Sequence, residues 1–236
     1  MKFLQRLFGS SLGKKYIMAI TGAVLFLFVV GHMVGNLQVF LGREAINRYA
    51  HFLQSTGELL WVVRLALLGV LALHIWSAVT LTLQNKAARP ASYDQAQYPA
   101  ASYASRTMIY SGLIIAAFII YHLLHYTVKA PGVNLTGKDF HAFTEPMRDG
   151  TARADVFQMI VTGFSQPVVS LFYLVAVGLL SWHLGHGVAA LFQSLGLKTK
   201  AWGPVIDRFS TAIAWVLFLG YSAIPLAVLV FGYGKN

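Results

Sequence analysis

Residues 16–40 read Tyr-Ile-Met-Ala-Ile-Thr-Gly-Ala-Val-Leu-Phe-Leu-Phe-Val-Val-Gly-His-Met-Val-Gly-Asn-Leu-Gln-Val-Phe, a run with no acidic or basic chain-end charge and one histidine, His32. A helix needs about 20 such residues to cross the hydrocarbon core of a bilayer. The run also lacks the polar face that a helix at the surface of a soluble domain would show. It is too long for a secretory signal, has no A-x-A cleavage site and carries an imidazole at its centre. Four further long apolar runs follow: Leu59–Leu83, with Arg64 as its one charged residue, Met108–Val128, Pro167–Phe192 and Ser210–Phe231. The sequence therefore predicts an all-α fold, an integral membrane bundle of five transmembrane helices forming one domain over residues 1–236.

Composition agrees. The chain is 57% hydrophobic and 11% charged, where a soluble domain carries about 25% charged residues. Little is left over for a separate soluble domain. With no Cys, an iron–sulfur cluster, a disulfide or covalent c-type haem attachment has no ligands here. The net charge of +10 fits basic cytoplasmic loops facing anionic lipid better than a nucleic-acid partner.

The basic residues also orient the chain. With the N-terminus in the cytoplasm, the inner segments hold Lys2, Arg6, Lys14, Lys15, Lys86, Arg89, Arg106, Lys198, Lys200 and Arg208. Of the acidic residues only Asp94 and Asp207 lie inside, with the other six outside. The expected location is the bacterial cytoplasmic membrane, multi-pass, with the positive excess inside. Between spans, Arg43–Glu58 places Ala45, Ile46, Tyr49, Phe52 and Leu53 at helical spacing, as an interfacial helix would. Val133–Asp155 is polar and reads as an outer loop.

Histidine is the chemistry-bearing residue. His32, His74, His122 and His183 lie in four different spans, with His125 and His186 three residues beyond the last two. Ionisable residues within a span usually face the bundle interior and serve a function. His32 lies 11 residues before Arg43 and His122 lies 7 before Lys129. His74 lies 16 beyond Glu58 and His183 lies 17 beyond Gln166. At about 1.5 Å per residue these are roughly 10–16 Å and 24–25 Å from the outer end. Two pairs at two depths would suit two haems b, each bonded by two imidazoles, forming an electron path across the bilayer. By counting alone, His125 or His186 could replace its neighbour as ligand or act as a hydrogen-bonding partner. Gly22, Gly31, Gly35, Gly69, Gly178, Gly185 and Gly187 leave room for a bulky group or a second helix.

The run Lys15-Tyr-Ile-Met-Ala-Ile-Thr-Gly22, followed by Gly31-His32-Met33, resembles the first helix of the single-chain, two-haem cytochrome b anchor of succinate dehydrogenase and fumarate reductase. Arg48-Tyr-Ala-His-Phe-Leu53, Gly57-Glu-Leu-Leu-Trp61, Ala104-Ser-Arg-Thr-Met108, Ile120-Tyr-His122 and Trp182-His183-Leu-Gly-His-Gly187 are similar to later parts of that family, over roughly residues 10 to 232. The resemblance implies the ligands His32, His74, His122 and His183, paired first helix with third and second with fourth, and it selects His183 over His186. It implies partners on the cytoplasmic face, a FAD flavoprotein and an iron–sulfur subunit, and a membrane quinone as substrate, menaquinone by preference. A higher oligomer of the complex is compatible with it. One departure stands out: where a relative has a carboxylate linked to proton movement, two residues before the fourth ligand, this chain has Ser181.

Haem propionates buried near a membrane face need partners. Arg64 on the outer side and Arg106, Lys15 and Gln193 on the inner side are the candidates. Glu58, at the mouth of the second span, is the candidate proton donor or acceptor for quinone; it would equally suit a helix N-terminus. The inner segments Met1–Lys15, Gln84–Arg106 and Phe192–Arg208, with Tyr93, Tyr98, Tyr103 and Trp202, would dock the iron–sulfur partner. The competing expectations are a haem-free transporter or assembly factor whose histidines bind protons or metal, and the cytochrome b of another quinone-linked complex.

Overall fold

The computed structural model describes residues 2–88 and 103–235. It is 79% helical, with almost no sheet. In chain order the elements are α1 (Lys2–Gly9), α2 (Ser11–Leu37), a 3-10 turn (Gln38–Leu41), α3 (Arg43–Ser55), α4 (Glu58–Ala87), α5 (Tyr103–His122), a π-helical turn (Leu123–Val128), a second 3-10 turn (Phe140–Ala142), β1 (Thr144–Pro146), β2 (Ala152–Ala154), α6 (Val156–Phe164), α7 (Pro167–Ser194) and α8 (Gly203–Leu229). Five helical stretches are long and apolar enough to cross a membrane: Ser11–Leu41, Glu58–Ala87, Thr107–Val128, Pro167–Ser194 and Gly203–Leu229. The chain is an all-α bundle of the multi-pass membrane type. The five expected spans lie on these five helices, with boundaries moved by a few residues.

Local chemistry sets the ends. Ser10 Oγ accepts from the Gly13 N–H at 3.0 Å and caps α2. A Cβ on Gly13 would stand 2.1 Å from the Leu7 carbonyl oxygen, so only glycine lets α1 fold back so closely on α2. Gly42, at φ 98°, makes the turn into α3. Pro167 opens α7, where its missing N–H costs nothing. The spans expose Leu27, Leu65, Leu68, Ile120, Leu171 and Leu219, as lipid-facing positions should.

The chain gathers into two compact units. The first comprises Met1–Val29, Arg64–Leu113 and Leu180–Trp215. Its buried apolar residues include Ile17, Ala19, Leu81, Val188 and Ile206. The Phe8 and Trp76 rings meet at 5.7 Å, and Lys198 Nζ pairs with Asp207 at 2.6 Å.

The second unit comprises Val30–Val63, Ile114–Leu179 and Val216–Asn236. Its core is Val39, Ile46, Phe157, Ile160, Val161, Phe164, Val169, Tyr173, Ile224 and Val228. Helix α6, with the short β1–β2 hairpin before it, was not foreseen: the expected outer loop ran on to Asp155. The nine residues Val-Phe-Gln-Met-Ile-Val-Thr-Gly-Phe are too few to span; Gln158 and Thr162, one turn apart, form the less buried side, and six of the others are buried. Asp155 is what holds α6 in place. Its carboxylate accepts from the Gln158 N–H at 3.0 Å, from Arg43 at 2.5 Å and from Asn47 Nδ2 at 2.9 Å. Asn47 Oδ1 in turn accepts from the Phe157 N–H at 2.9 Å. This buried carboxylate is paired and fully hydrogen-bonded. Asp155→Ala should cost about 3 kcal/mol, the low end for breaking a buried ion pair because Arg43 is half exposed. A thermal melt in detergent checks this, and an unchanged midpoint would refute the role assigned to Asp155.

Helix α3 was expected to lie as an interfacial helix with Ala45, Ile46, Tyr49, Phe52 and Leu53 on its apolar side. It buries Ile46 and Asn47, while Phe52 and Leu53 stay exposed. The deciding contact is polar, through Asn47 and Asp155. Outside the spans, the Arg153 guanidinium lies between Glu44 and Glu145, and it holds the Glu44 carboxyl below the usual range.

Candidate functional site

In the first unit His74 on α4 meets α2. Its Nδ1 lies 3.1 Å from Thr21 Oγ1. Thr21 has one hydroxyl proton, and it goes to the Ile17 carbonyl at 2.6 Å, so the threonine oxygen accepts from His74. The Met18 carbonyl oxygen lies 3.2 Å from the same threonine hydroxyl. A histidine whose Nδ1 carries the proton keeps its Nε2 lone pair for a metal. His183 on α7 meets α5 in the same manner. Its Nδ1 lies 3.1 Å from Ser111 Oγ, which donates back to the Met108 carbonyl at 3.0 Å, the local bond that helical serine favours.

Glycine follows each hydroxyl. A Cβ on Gly22 would stand 3.2 Å from His74 Cε1, and one on Gly112 would stand 3.4 Å from His183 Cε1. Gly22 was expected to make room for something bulky; here it makes room for a histidine ring. Gly112 and the two hydroxyls were not singled out from the sequence.

In the second unit, the rings of His32 (α2) and His122 (α5) lie 5.7 Å apart at 80°. Metal–imidazole bonds are about 2 Å long, so two rings sharing one metal have centres roughly 6 Å apart. His122 Nδ1 lies 3.2 Å from Tyr173 Oη, and His125 Nδ1 lies 3.0 Å from the same oxygen. One phenol proton cannot serve both. A chain from His122 Nδ1–H to Tyr173, and from Tyr173 O–H to His125 Nδ1, gives each of the two bonds one proton and leaves His122 Nε2 with its lone pair.

The structure separates neighbours that counting left equivalent. His125 is buried, with its ring stacked on Tyr126 at 4.0 Å and on Phe140 at 5.6 Å. Its Nε2 is buried without a hydrogen-bond partner and faces Gly163, whose Cβ would stand 3.2 Å away. A ring filled in on that edge and stacked on its faces has no place for a macrocycle. His32, His74, His122 and His183 are only partly buried. A π-helical turn begins right after His122. Such turns are rare and frequent at functional sites, and this one contains His125. His186 is half-buried, within electrostatic reach of Lys198 and Asp207. Ser181 has its hydroxyl buried without a partner.

The donor set fits haem. Among the described residues no group of three or more His, Cys, Asp or Glu forms a metal cage. Two imidazoles suffice for an iron already held by the four nitrogens of a macrocycle.

The candidate propionate partners are placed less uniformly. Lys15 is exposed, and it is Lys14 that is buried, with Nζ 3.4 Å from the Gly9 carbonyl oxygen. Arg64 is partly buried in the second turn of α4, and Gln193 is exposed near the end of α7. Arg106 falls within α5, but its side chain, like those of Tyr93, Tyr98 and Tyr103, lies outside the described residues. Glu58 is the exposed first residue of α4, in the unit that holds His32 and His122. His51 and His141 lie outside the spans, and His141 Nε2 meets the Val128 carbonyl at 3.1 Å.

Comparison of the chain with protein-family models, with curated proteins and with solved structures returns no match.

Proposed function

We propose that this chain is the membrane anchor and electron-transfer subunit of a succinate:quinone oxidoreductase, with one haem b between His32 and His122 and another between His74 and His183. The observation that carries the reading is that four spans each supply one partly buried imidazole, and that three of the four have Nδ1 hydrogen-bonded by a neighbouring helix. That leaves Nε2 available as an iron ligand. Bound haem supplies a one-electron carrier. The protein orients it with the histidines, screens it from lipid and water with apolar spans, and offers Lys14 or Lys15, Arg64, Arg106 and Gln193 to its carboxylates.

The chain has no cysteine and no flavin-binding motif, so on this reading electrons from succinate reach it through a flavoprotein and an iron–sulfur subunit. These sit on the cytoplasmic face of a bacterial membrane, with Trp202 and the basic residues of the inner segments at the contact. Glu58, exposed at the mouth of α4, takes or gives the quinone proton. With Ser181 in place of a carboxylate, the proton route of the related fumarate reductase is not carried over.

The test is purification in mild detergent through a tag on this chain. A FAD-bearing protein and an iron–sulfur protein should come with it, the preparation should give a pyridine haemochrome spectrum with two haems per chain, and succinate should reduce them. A chain recovered alone, with no haemochrome, would sink the proposal and turn attention to a haem-free transporter.

A further inference from the structure

We infer that Thr21–Gly22 on α2 and Ser111–Gly112 on α5 are matched seats that hold His74 and His183 with Nδ1 protonated and Nε2 as the ligating nitrogen, and so set the electron affinity of the iron between them. The inference rests on the reading of those two histidines as axial ligands.

The seats form a repeat in the sequence. Met18-Ala-Ile-Thr21-Gly22 precedes His32, and Met108-Ile-Tyr-Ser111-Gly112 precedes His122; every named position is offset by 90 residues. In both copies the hydroxyl bonds back to a carbonyl of its own helix, at 2.6 Å for Thr21 and 3.0 Å for Ser111, and meets the facing imidazole Nδ1 at 3.1 Å. In both copies the next residue is glycine, where a Cβ would press on the imidazole Cε1 at 3.2 or 3.4 Å. A chance polar contact has no reason to recur on two helices with the same residue order and the same distance. The methionine contributes its carbonyl in both copies: Met108 O lies 3.0 Å from Ser111 Oγ and Met18 O lies 3.2 Å from Thr21 Oγ1.

The chemistry follows from the direction of the bond. An imidazole that donates Nδ1–H to an acceptor becomes a more basic ligand through Nε2. A more basic ligand favours ferric over ferrous iron. Thr21 and Ser111 are thus positioning residues, acting on the iron through histidine.

The experiment uses the full-length chain in its purified complex. Thr21→Val and Ser111→Ala remove the hydroxyls with little change of shape; Thr21→Ser and Ser111→Thr keep them. Redox titration should show the midpoint of one haem raised in the Thr21→Val, Ser111→Ala double variant. The expected change is roughly tenfold in the ferric–ferrous equilibrium, ~59 mV for one electron. The other haem should not move, and the hydroxyl-preserving variants should behave as wild type. If the double variant loads no inner haem while the hydroxyl-preserving pair loads it, the seat is likewise upheld. An unshifted midpoint in a haem-replete double variant overturns the inference, as does an equal shift or loss in both pairs. Failure of the underlying reading shows separately, as wild-type protein without haem, and the inference falls with it. The glycines give a second readout: Gly22→Ala, with the tighter approach, should lower inner-haem occupancy more than Gly112→Ala.

Discussion

Chain carrying His74→Ala should bind one haem where wild type binds two, and His183→Ala should lose the same haem. On the proposed ligation each change removes one of two protein ligands to one iron, and alanine offers no substitute donor. The loss should be close to complete for that haem, halving the pyridine haemochrome per chain, while the haem between His32 and His122 stays. His186→Ala is the control. His186 is not one of the four proposed ligands, so its removal should leave both haems. Two haems in His183→Ala, or one in His186→Ala, would exchange the roles of these two residues.

The second large effect concerns His122 and His125, and the two should fail in different ways. His122→Ala should abolish the other haem outright. His125→Ala should retain it but weaken the fold by about 2–5 kcal/mol, the cost of emptying a packed interior site. His125 fills space between Tyr126 and Phe140 and shares Tyr173 with His122. Spectral haem content read beside a thermal melt separates the two outcomes. Loss of haem with an unchanged melt in His125→Ala would reverse the assignment.

The spans were legible because hydrophobicity sustained over more than 20 residues is a signal that tertiary contacts do not override. The histidines stood out for the same reason, as costly residues against an apolar background. What stayed hidden depends on neighbours distant in the sequence. Helix α6 is stable because Asn47 and Arg43 reach its cap at Asp155, more than 100 residues away, and nothing in Val156–Phe164 alone announces that. The π-helical turn at Leu123–Val128 has no residue signature, so His122 and His125 looked interchangeable. Of two adjacent lysines the sequence favoured Lys15, but a one-residue step rotates a helix position by about 100°, and it is Lys14 that is buried. The paired hydroxyl–glycine seats were readable in principle, through the 90-residue offset that carries Met18, Thr21, Gly22 and His32 onto Met108, Ser111, Gly112 and His122. Searching for histidines alone passes over them.

Helix α4 has a consequence for how the molecule is made. None of the side chains in its most apolar stretch is buried by the rest of the chain; its buried positions are Ser77 and Leu81, just beyond His74. On the proposed ligation, the His32–His122 pair is complete once the third span has been synthesised. His74 waits for His183, which emerges 61 residues after His122, about 3–12 s later at 5–20 residues per second. During that interval α4 sits in lipid with half of its iron site unmade. On that ligation, a ribosome stalled between the third and fourth spans would leave a membrane-inserted chain with one pair of haem ligands complete and the other not.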